Sequence, residues 1–421
     1  MAATDRGSEL TMAATDSNSF RDPVLVSGLI RKIQNLAASL ESSKCVDTSP
    51  HAPIDASFKA HSVAPPKAHP NNPNNSKPNT NRPNRPIRIM EVCGTHTVAI
   101  ARAGFRSVMP ANIKLLSGPG CPVCVTANAD IDSIIACTRI PNSIVATFGD
   151  MLRVPGSSSS LQQCKTEGAA VQVVYSPLDA IKLAQDNASK NVIFAGVGFE
   201  TTAPLVAASI KRAAALNLKN FFVVTAHKLV PPALRALIND PDLGLDALIL
   251  PGHVSTVIGV APYEFIAKEF GVPAVVTGFE PVDILQGISQ LLTQLANGKT
   301  TIEIAYSRAV MPSGNPVAVA TMNEVFAPCD ANWRGFGLIP NSGLTLREEY
   351  VSYDALKRFA PEIEATKEHQ GCLCGEVLRG TISASDCPLF GKVCVPANPI
   401  GPCMVSSEGS CAAHYRYQIV G

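Results

Sequence analysis

Aromatic residues are scarce in this chain of 421 residues, at 5% of the total with a single tryptophan. Charge is scarce too, at 16%, and nearly balanced to a formal net charge of +1. Few stacking platforms and no basic excess argue against nucleic-acid binding. No apolar run reaches the roughly 18 residues that a membrane-spanning helix needs, so no membrane contact is expected. The first residues, Met1-Ala2-Ala3-Thr4-Asp5-Arg6, show no basic stretch followed by an apolar one. No signal peptide is expected, and the expected location is cytoplasmic. There is no Gly-x-Gly-x-x-Gly with a distant acid and no Walker loop, which leaves nucleotide binding unsupported.

Cysteine is plentiful. Thirteen are present, and six of them fall in the last 50 residues. In a reducing compartment a disulfide framework is not expected. Cys45, Cys137, Cys164 and Cys329 read as small hydrophobes. The others are patterned, and the chain's organisation gives them context.

Residues 1–21 are polar and read as a disordered tail. Asp22-Pro23 opens a helix over 22–42, with Asp as N-cap and Pro in the first turn. Leu25, Leu29, Ile33, Leu36 and Leu40 form its apolar stripe. From 43 to 86 the composition falls to Pro, Asn, Ser and Lys, which cannot bury enough apolar surface to order itself. That segment reads as a disordered insertion, and its His51, His61 and His69 as solvated. From Ile87 onward, β-branched runs alternate with helical stretches. Strands are predicted at 87–90, 113–116, 143–147, 171–175, 192–197, 221–225, 247–250 and 274–277, and helices at 205–216 and 282–295. Such alternation predicts two doubly wound parallel α/β domains, placed here at 87–160 and 161–330. Past about Met311 the periodicity fails, apart from a helix near 352–359. Residues 331–421 are expected to form a small loop-rich domain that needs a staple.

Ligands in doubly wound sheets sit outside the carboxyl ends of the strands, and the notable residues fall there. Cys93 ends the first strand at a helix start, where free N–H groups and the helix dipole favour thiolate. His96 follows on nearly the same face. The pair reads as a metal half-site, a nucleophile with its base, or a redox thiol. Cys121-Pro-Val-Cys124 follows the second strand. It reads as half a zinc site, a dithiol or a chance pair, and no second close pair lies nearby to complete zinc. Glu200, with two threonines after it, either caps a helix or serves a site; Glu280 echoes it in a capping role. His227 and His253 each close a strand. At the C-terminus, Cys374, Cys387, Cys394 and Cys411 are widely spaced single thiols. They lack the paired knuckles of zinc ribbons and suit an iron–sulfur cluster better. Cys372 and Cys403 are left over.

Five stretches together resemble the HypD family of hydrogenase maturation factors. They are Met-Glu-Val-Cys-Gly-Thr-His-Thr (90–97), Ser-Gly-Pro-Gly-Cys-Pro-Val-Cys-Val-Thr (117–126), Gly-Phe-Glu-Thr-Thr-Ala-Pro (198–204), Pro-Gly-His-Val-Ser (251–255) and Met-Val-Ser-Ser-Glu-Gly-Ser-Cys-Ala-Ala (404–413). The resemblance runs from about Pro86 to the end and leaves out the Pro/Asn-rich insertion. It implies a scaffold that works with a HypC-type chaperone and a HypE-type cyanide donor to assemble the Fe(CN)2CO unit of [NiFe]-hydrogenase. It implies two α/β domains and a C-terminal iron–sulfur domain, with a [4Fe–4S] cluster on Cys374, Cys387, Cys394 and Cys411. It makes Cys93 the iron-site cysteine, with His96 beside it, and Cys121/Cys124 the family's dithiol. The competing readings are an iron–sulfur thiol–disulfide oxidoreductase acting on protein disulfides, and a zinc-stapled binding protein.

Overall fold

A computed structural model describes residues 21–42 and 85–419. The expected tail, apart from Arg21, and the expected insertion, apart from Arg85 and Pro86, lie outside the described residues, as does Cys45. The first helix is Pro23–Ser42. The Val24 N–H donates to Asp22 Oδ1 at 2.7 Å, which is the cap the sequence predicts. Ile33 and Ala37 are its buried residues, and it packs on the helix Pro281–Ala296. Leu25, at the open end of the stripe, stays 48% exposed.

Among the described residues, nine strands form two parallel sheets. They are β1 (Ile87–Glu91), β2 (Ile113–Ser117), β3 (Ser143–Thr147), β4 (Val171–Val173), β5 (Asn191–Gly196), β6 (Phe221–Thr225), β7 (Ala247–Pro251), β8 (Ala274–Thr277) and β9 (Ile302–Ile304). The first sheet has the order β2-β1-β7-β8-β9 and the second β4-β3-β5-β6. Every pairing within them is parallel. Both sheets are covered on both faces, as all-parallel sheets require. In the first, Ile87, Ile89, Ile113 and Leu115 enter one core while Met90, Val92 and Leu116 enter the other. In the second, Ile144, Phe194 and Val223 face one core, and Val145, Ile193 and Val224 the opposite one. The α/β class with parallel sheets is as predicted.

The strands are shared out differently from the expected 160/161 division. β3 pairs with β4 and β5 in the second sheet, while β7 and β8 return to the first beside β1. The first sheet is therefore built from two separate stretches of chain, with the second sheet inserted between them. Local periodicity is the same for a strand in either sheet, so it carries no information on this partition.

The region past Met311 also departs from expectation. It holds a helix, Pro316–Val325, and an antiparallel hairpin of β10 (Phe326–Trp333) and β11 (Gly337–Leu346). Pro328, Asp330 and Asn332 mask the strand pattern, because none favours β structure. Phe326, Leu344 and Leu346 pack with the second sheet, whereas Trp333 and Ile339 pack with the first. The hairpin thus ties the two sheets together. Beyond it come short helices and turns. Their cysteines share a hydrophobic core with Met90, Leu116 and Val254 of the first unit.

A polar tie supplements this packing. Lys228, after β6, has only 3% of its side chain exposed and pairs with Asp130 at 2.8 Å. Asp130 lies on the helix Asn128–Ala136 and is 28% exposed. Removing the acid leaves a buried ammonium without its partner, so Asp130→Ala is expected to cost about 3 kcal/mol in urea unfolding. An unchanged midpoint and slope would show that the pair does not hold these elements together.

Candidate functional site

In the first sheet the strand order reverses between β1 and β7, so a crevice opens where their following loops part. Cys93 stands there as N-cap of the helix Gly94–Arg102. Its surroundings are fixed by backbone contact. Gly94 N–H donates to Gly120 O at 2.9 Å. A Cβ on Gly120 would stand 2.1 Å from Cys93 N, so only glycine lets the loop after β2 lie against the loop after β1. The Cys93 N–H also donates to Glu91 Oε2 at 3.1 Å, and Thr97 Oγ1 donates to Glu91 Oε1 at 2.6 Å.

Cys93 lines a cleft of about 430 Å³ between the sheets. Gly120 and Pro122 form one wall, Phe199, Thr201 and Thr202 after β5 another, and His253 after β7 a third, with Glu408 closing the end. The carboxyl ends of both sheets therefore meet at this cleft. Glu408 was not singled out from sequence. It accepts a hydrogen bond from Thr95 Oγ1 at 2.8 Å across a separation of 313 residues, and no local pattern announces such a pairing.

Two expectations change in detail. Burial and then the nearby Glu408 push the Cys93 thiol up to about 12, and the N–H groups of Thr95 and His96 offset this only in part. The helix start does not make a free thiolate. His96 is fully buried and is not among the residues lining the cleft. Its Nε2 lies 2.9 Å from Gly278 O and 2.8 Å from Thr277 Oγ1, and burial pushes its pKa down to about 4, so the ring is neutral. Phe279 packs between the rings of His96 and His253, at centroid distances of 4.6 and 4.0 Å. Glu200 is buried behind the cleft wall. Val230 N–H donates to its Oε1 at 2.9 Å, its Oε2 has no partner among the described residues, and burial pushes its carboxyl up to about 7. Glu280 caps the helix Pro281–Ala296 and pairs with Arg21. His227 is buried, with neither ring nitrogen bonded among the described residues.

Cys121 and Cys124 form a disulfide and are 3% and 0% exposed. Their short helix, Pro122–Val125, packs against the helices Pro402–Val405 and Cys374–Arg379. Cys124 Sγ lies 4.0 Å from Pro402 O. Next to it, six free thiols line one small cavity: Cys372, Cys374, Cys387, Cys394, Cys403 and Cys411. Hydrogen bonding from Cys403 holds Cys374 below the usual thiol range against the effect of burial, with Arg334 adding to it. Donation to Cys374 and Cys411 raises Cys403 well above that range, and burial raises Cys372 to about 12. Among the described residues no three His, Cys, Asp or Glu side chains stand in metal-binding geometry. Cys137 and Cys164 are buried and free, as expected for small hydrophobes, and Cys329 is half-buried.

Fold and site together define a two-sheet α/β protein with a thiol in its intersheet cleft and a second, terminal nest of thiols. A HypD profile described as "Hydrogenase formation hypA family" matches residues 74–418. The chain is 47% identical over 342 residues to the hydrogenase maturation factor HypD of Azotobacter vinelandii, covering 80% of this chain and 90% of that one. It is 45% identical over 335 residues to HypD of Escherichia coli strain K12, covering 79% and 90%. To a putative hydrogenase expression/formation protein of Methanocaldococcus jannaschii it is 44% identical over 333 residues, covering 79% and 92%. The chain belongs to the HypD family of hydrogenase maturation factors. Among the described residues no helix is long and apolar enough to cross a membrane.

Glu91, beneath Cys93, gives a pH signature. Burial pushes its carboxyl from 4.5 up to about 7, against the hydrogen bonds from Thr97 and Cys93. The folded state keeps this proton while the unfolded chain releases it, so the residue's contribution is full below pH 4.5 and is lost as the pH rises through 7. Glu91→Gln removes that loss. Its stability relative to the parent is expected to rise by about 3 kcal/mol between these limits in urea titrations. A difference that stays constant with pH would mean that the carboxyl ionises normally.

Proposed function

We propose that the cleft at Cys93 is the assembly site for an iron ion carrying cyanide and carbon monoxide, the Fe(CN)2CO unit of [NiFe]-hydrogenase. Cys93 supplies a soft thiolate ligand, and a HypC-type chaperone docked at the cleft supplies another. A HypE-type partner delivers the cyanide groups. The iron unit is the cargo. Low-spin iron(II) with strong-field carbon ligands is well matched by thiolate.

The observation that carries this reading is that Cys93 and Glu408 line one cleft. As a free thiol in a buried site facing a carboxylate, Cys93 resists ionisation. A bound cation reverses that balance, because it stabilises the thiolate and compensates the carboxylate together. The site is therefore poor for a free redox thiolate and suited to a metal ligand. The surrounding protein holds the backbone of Cys93 fixed and limits water around the carbon ligands. The neutral His96 braces the helix start and does not bind the cargo.

The terminal thiols form the proposed iron–sulfur site. A [4Fe–4S] cluster needs four thiolates in an apolar setting. Cys374, Cys387, Cys394 and Cys411 share their cavity with Leu389, Phe390 and Met404. Ile400 N–H donates to Cys394 Sγ at 3.4 Å, a contact of the kind that tunes cluster sulfur. The donor set fits. The remaining space is only about 10 Å³, so the thiols must rotate apart from Cys403 to take a cluster. When bound, the cluster supplies single electrons. Cys121 and Cys124, between it and the cleft, are the proposed dithiol: their disulfide would take two electrons, delivered singly, and two protons to become two thiols.

A disulfide at Cys121–Cys124 is also what a thiol–disulfide oxidoreductase would carry. Both sulfurs are buried, however, so a protein disulfide has no path to them. The scaffold reading is preferred.

Protein purified without oxygen, together with its HypC-type partner, is expected to hold iron beyond four per cluster and to show cyanide and carbonyl infrared stretches. Cys93→Ala is expected to lose the extra iron and the stretches while keeping the cluster iron. Cys121→Ser is expected to abolish hydrogenase maturation in cells. Cluster iron alone in the parent protein, or normal maturation by Cys121→Ser, would contradict the respective role.

A further inference from the structure

The hairpin tip between β10 and β11 carries a cation that the proposed function leaves unused. Arg334 is 8% exposed. Its backbone N–H donates to Val125 O at 2.8 Å, one residue past the disulfide. Its Nη1 donates to Glu368 at 2.8 Å and its Nη2 to Asn128 Oδ1. Its Nε is buried and has no partner among the described residues. The next residue, Gly335, has φ +83° and lies against Gly375 so closely that a Cβ on it would stand 2.6 Å from Gly375 Cα. A Cβ on Gly375 would in turn meet Gly335 Cα at 2.8 Å. Glycine at both positions seats the hairpin tip on the backbone next to Cys374. This seating sets Arg334, one residue before Gly335, beside the stretch that carries Cys374, one residue before Gly375.

We propose that Arg334 is a redox-tuning residue: its fixed buried charge, with an Nε–H left over, raises the reduction potential of the cluster held by Cys374, Cys387, Cys394 and Cys411. This rests on the cluster reading above. A guanidinium is always charged. A cluster that takes up one electron gains negative charge, and a buried cation nearby favours that form. The backbone N–H of the same residue is bonded to Val125, one residue past the disulfide. Glu368, with 63% of its side chain exposed, partly neutralises it from the solvent side. In the titration that measures this, one electron passes from dithionite to the oxidised cluster, with no bond made or broken in the protein.

The test uses the full chain with its cluster reconstituted without oxygen, titrated with dithionite and followed by electron paramagnetic resonance. Iron and sulfide per chain are measured alongside. Arg334→Gln is expected to lower the potential by about 59 mV, a tenfold change in the one-electron equilibrium. Arg334→Lys, which keeps the charge and loses the planar fork, is expected to lower it less. Glu368→Gln is expected to raise it, because the cation loses its counter-charge. Glu368 is exposed, so this variant decides the matter even if Arg334→Gln fails to hold its cluster. Potentials that do not move in Glu368→Gln, with parent iron and sulfide contents, overturn the tuning role and leave the cluster reading standing. A parent chain that takes up no iron and sulfide overturns the cluster reading and this role with it.

Discussion

The contact between Gly120 and the backbone of Cys93 constrains the rest of the site. With a Cβ there, the atom would stand 2.1 Å from the Cys93 nitrogen. The loop after β2 would have to retreat, and the hydrogen bond from Gly94 to Gly120 would go with it. That loop continues directly into Cys121 and Cys124, whose helix packs on the terminal segment. One close approach between two strand ends thus sets three things together: the position of Cys93, the position of the disulfide behind it, and the bed on which the terminal thiols lie.

Geometry separates the thiols into two environments with opposite electrostatics. Cys93 faces the carboxylate of Glu408 and resists ionisation unless a cation arrives. Cys374 lies where Cys403 and Arg334 favour its anion. The first environment suits an ion that comes and goes, and the second suits a resident centre. The disulfide of Cys121 and Cys124 lies between them, shielded from outside partners by burial. A division of labour within one chain, with ligand chemistry at the cleft and electrons from the terminal nest, follows from this layout as a proposal.

Much of this was legible in the chain. Parallel strands buried on both faces read as continuous β-branched runs, so β3, β6 and β8 fall where the sequence predicts them. β9 escaped because it is three half-buried residues at a sheet edge. The hairpin escaped because Pro328, Asp330 and Asn332 interrupt its pattern. The return of β7 to the first sheet is a matter of long-range packing and leaves no local mark. At the site, residue types after strand ends correctly pointed to Cys93 and to the loops that face it. The thiol's protonation did not follow from its place at a helix start, because burial outweighs the dipole there. Glu408 and Arg334 became visible only once distant segments were brought together.

The proposed function requires two distinct iron positions on the chain, one at Cys93 and one at the terminal thiols. Anomalous diffraction at the iron edge, on crystals of the protein grown without oxygen with its HypC-type partner, tests this most directly. The expected result is two separated iron peaks, a compact multi-iron one among Cys374, Cys387, Cys394 and Cys411 and a single-iron one at Cys93. Iron at the terminal thiols with none at Cys93, or a peak at the zinc edge in place of either, would contradict it.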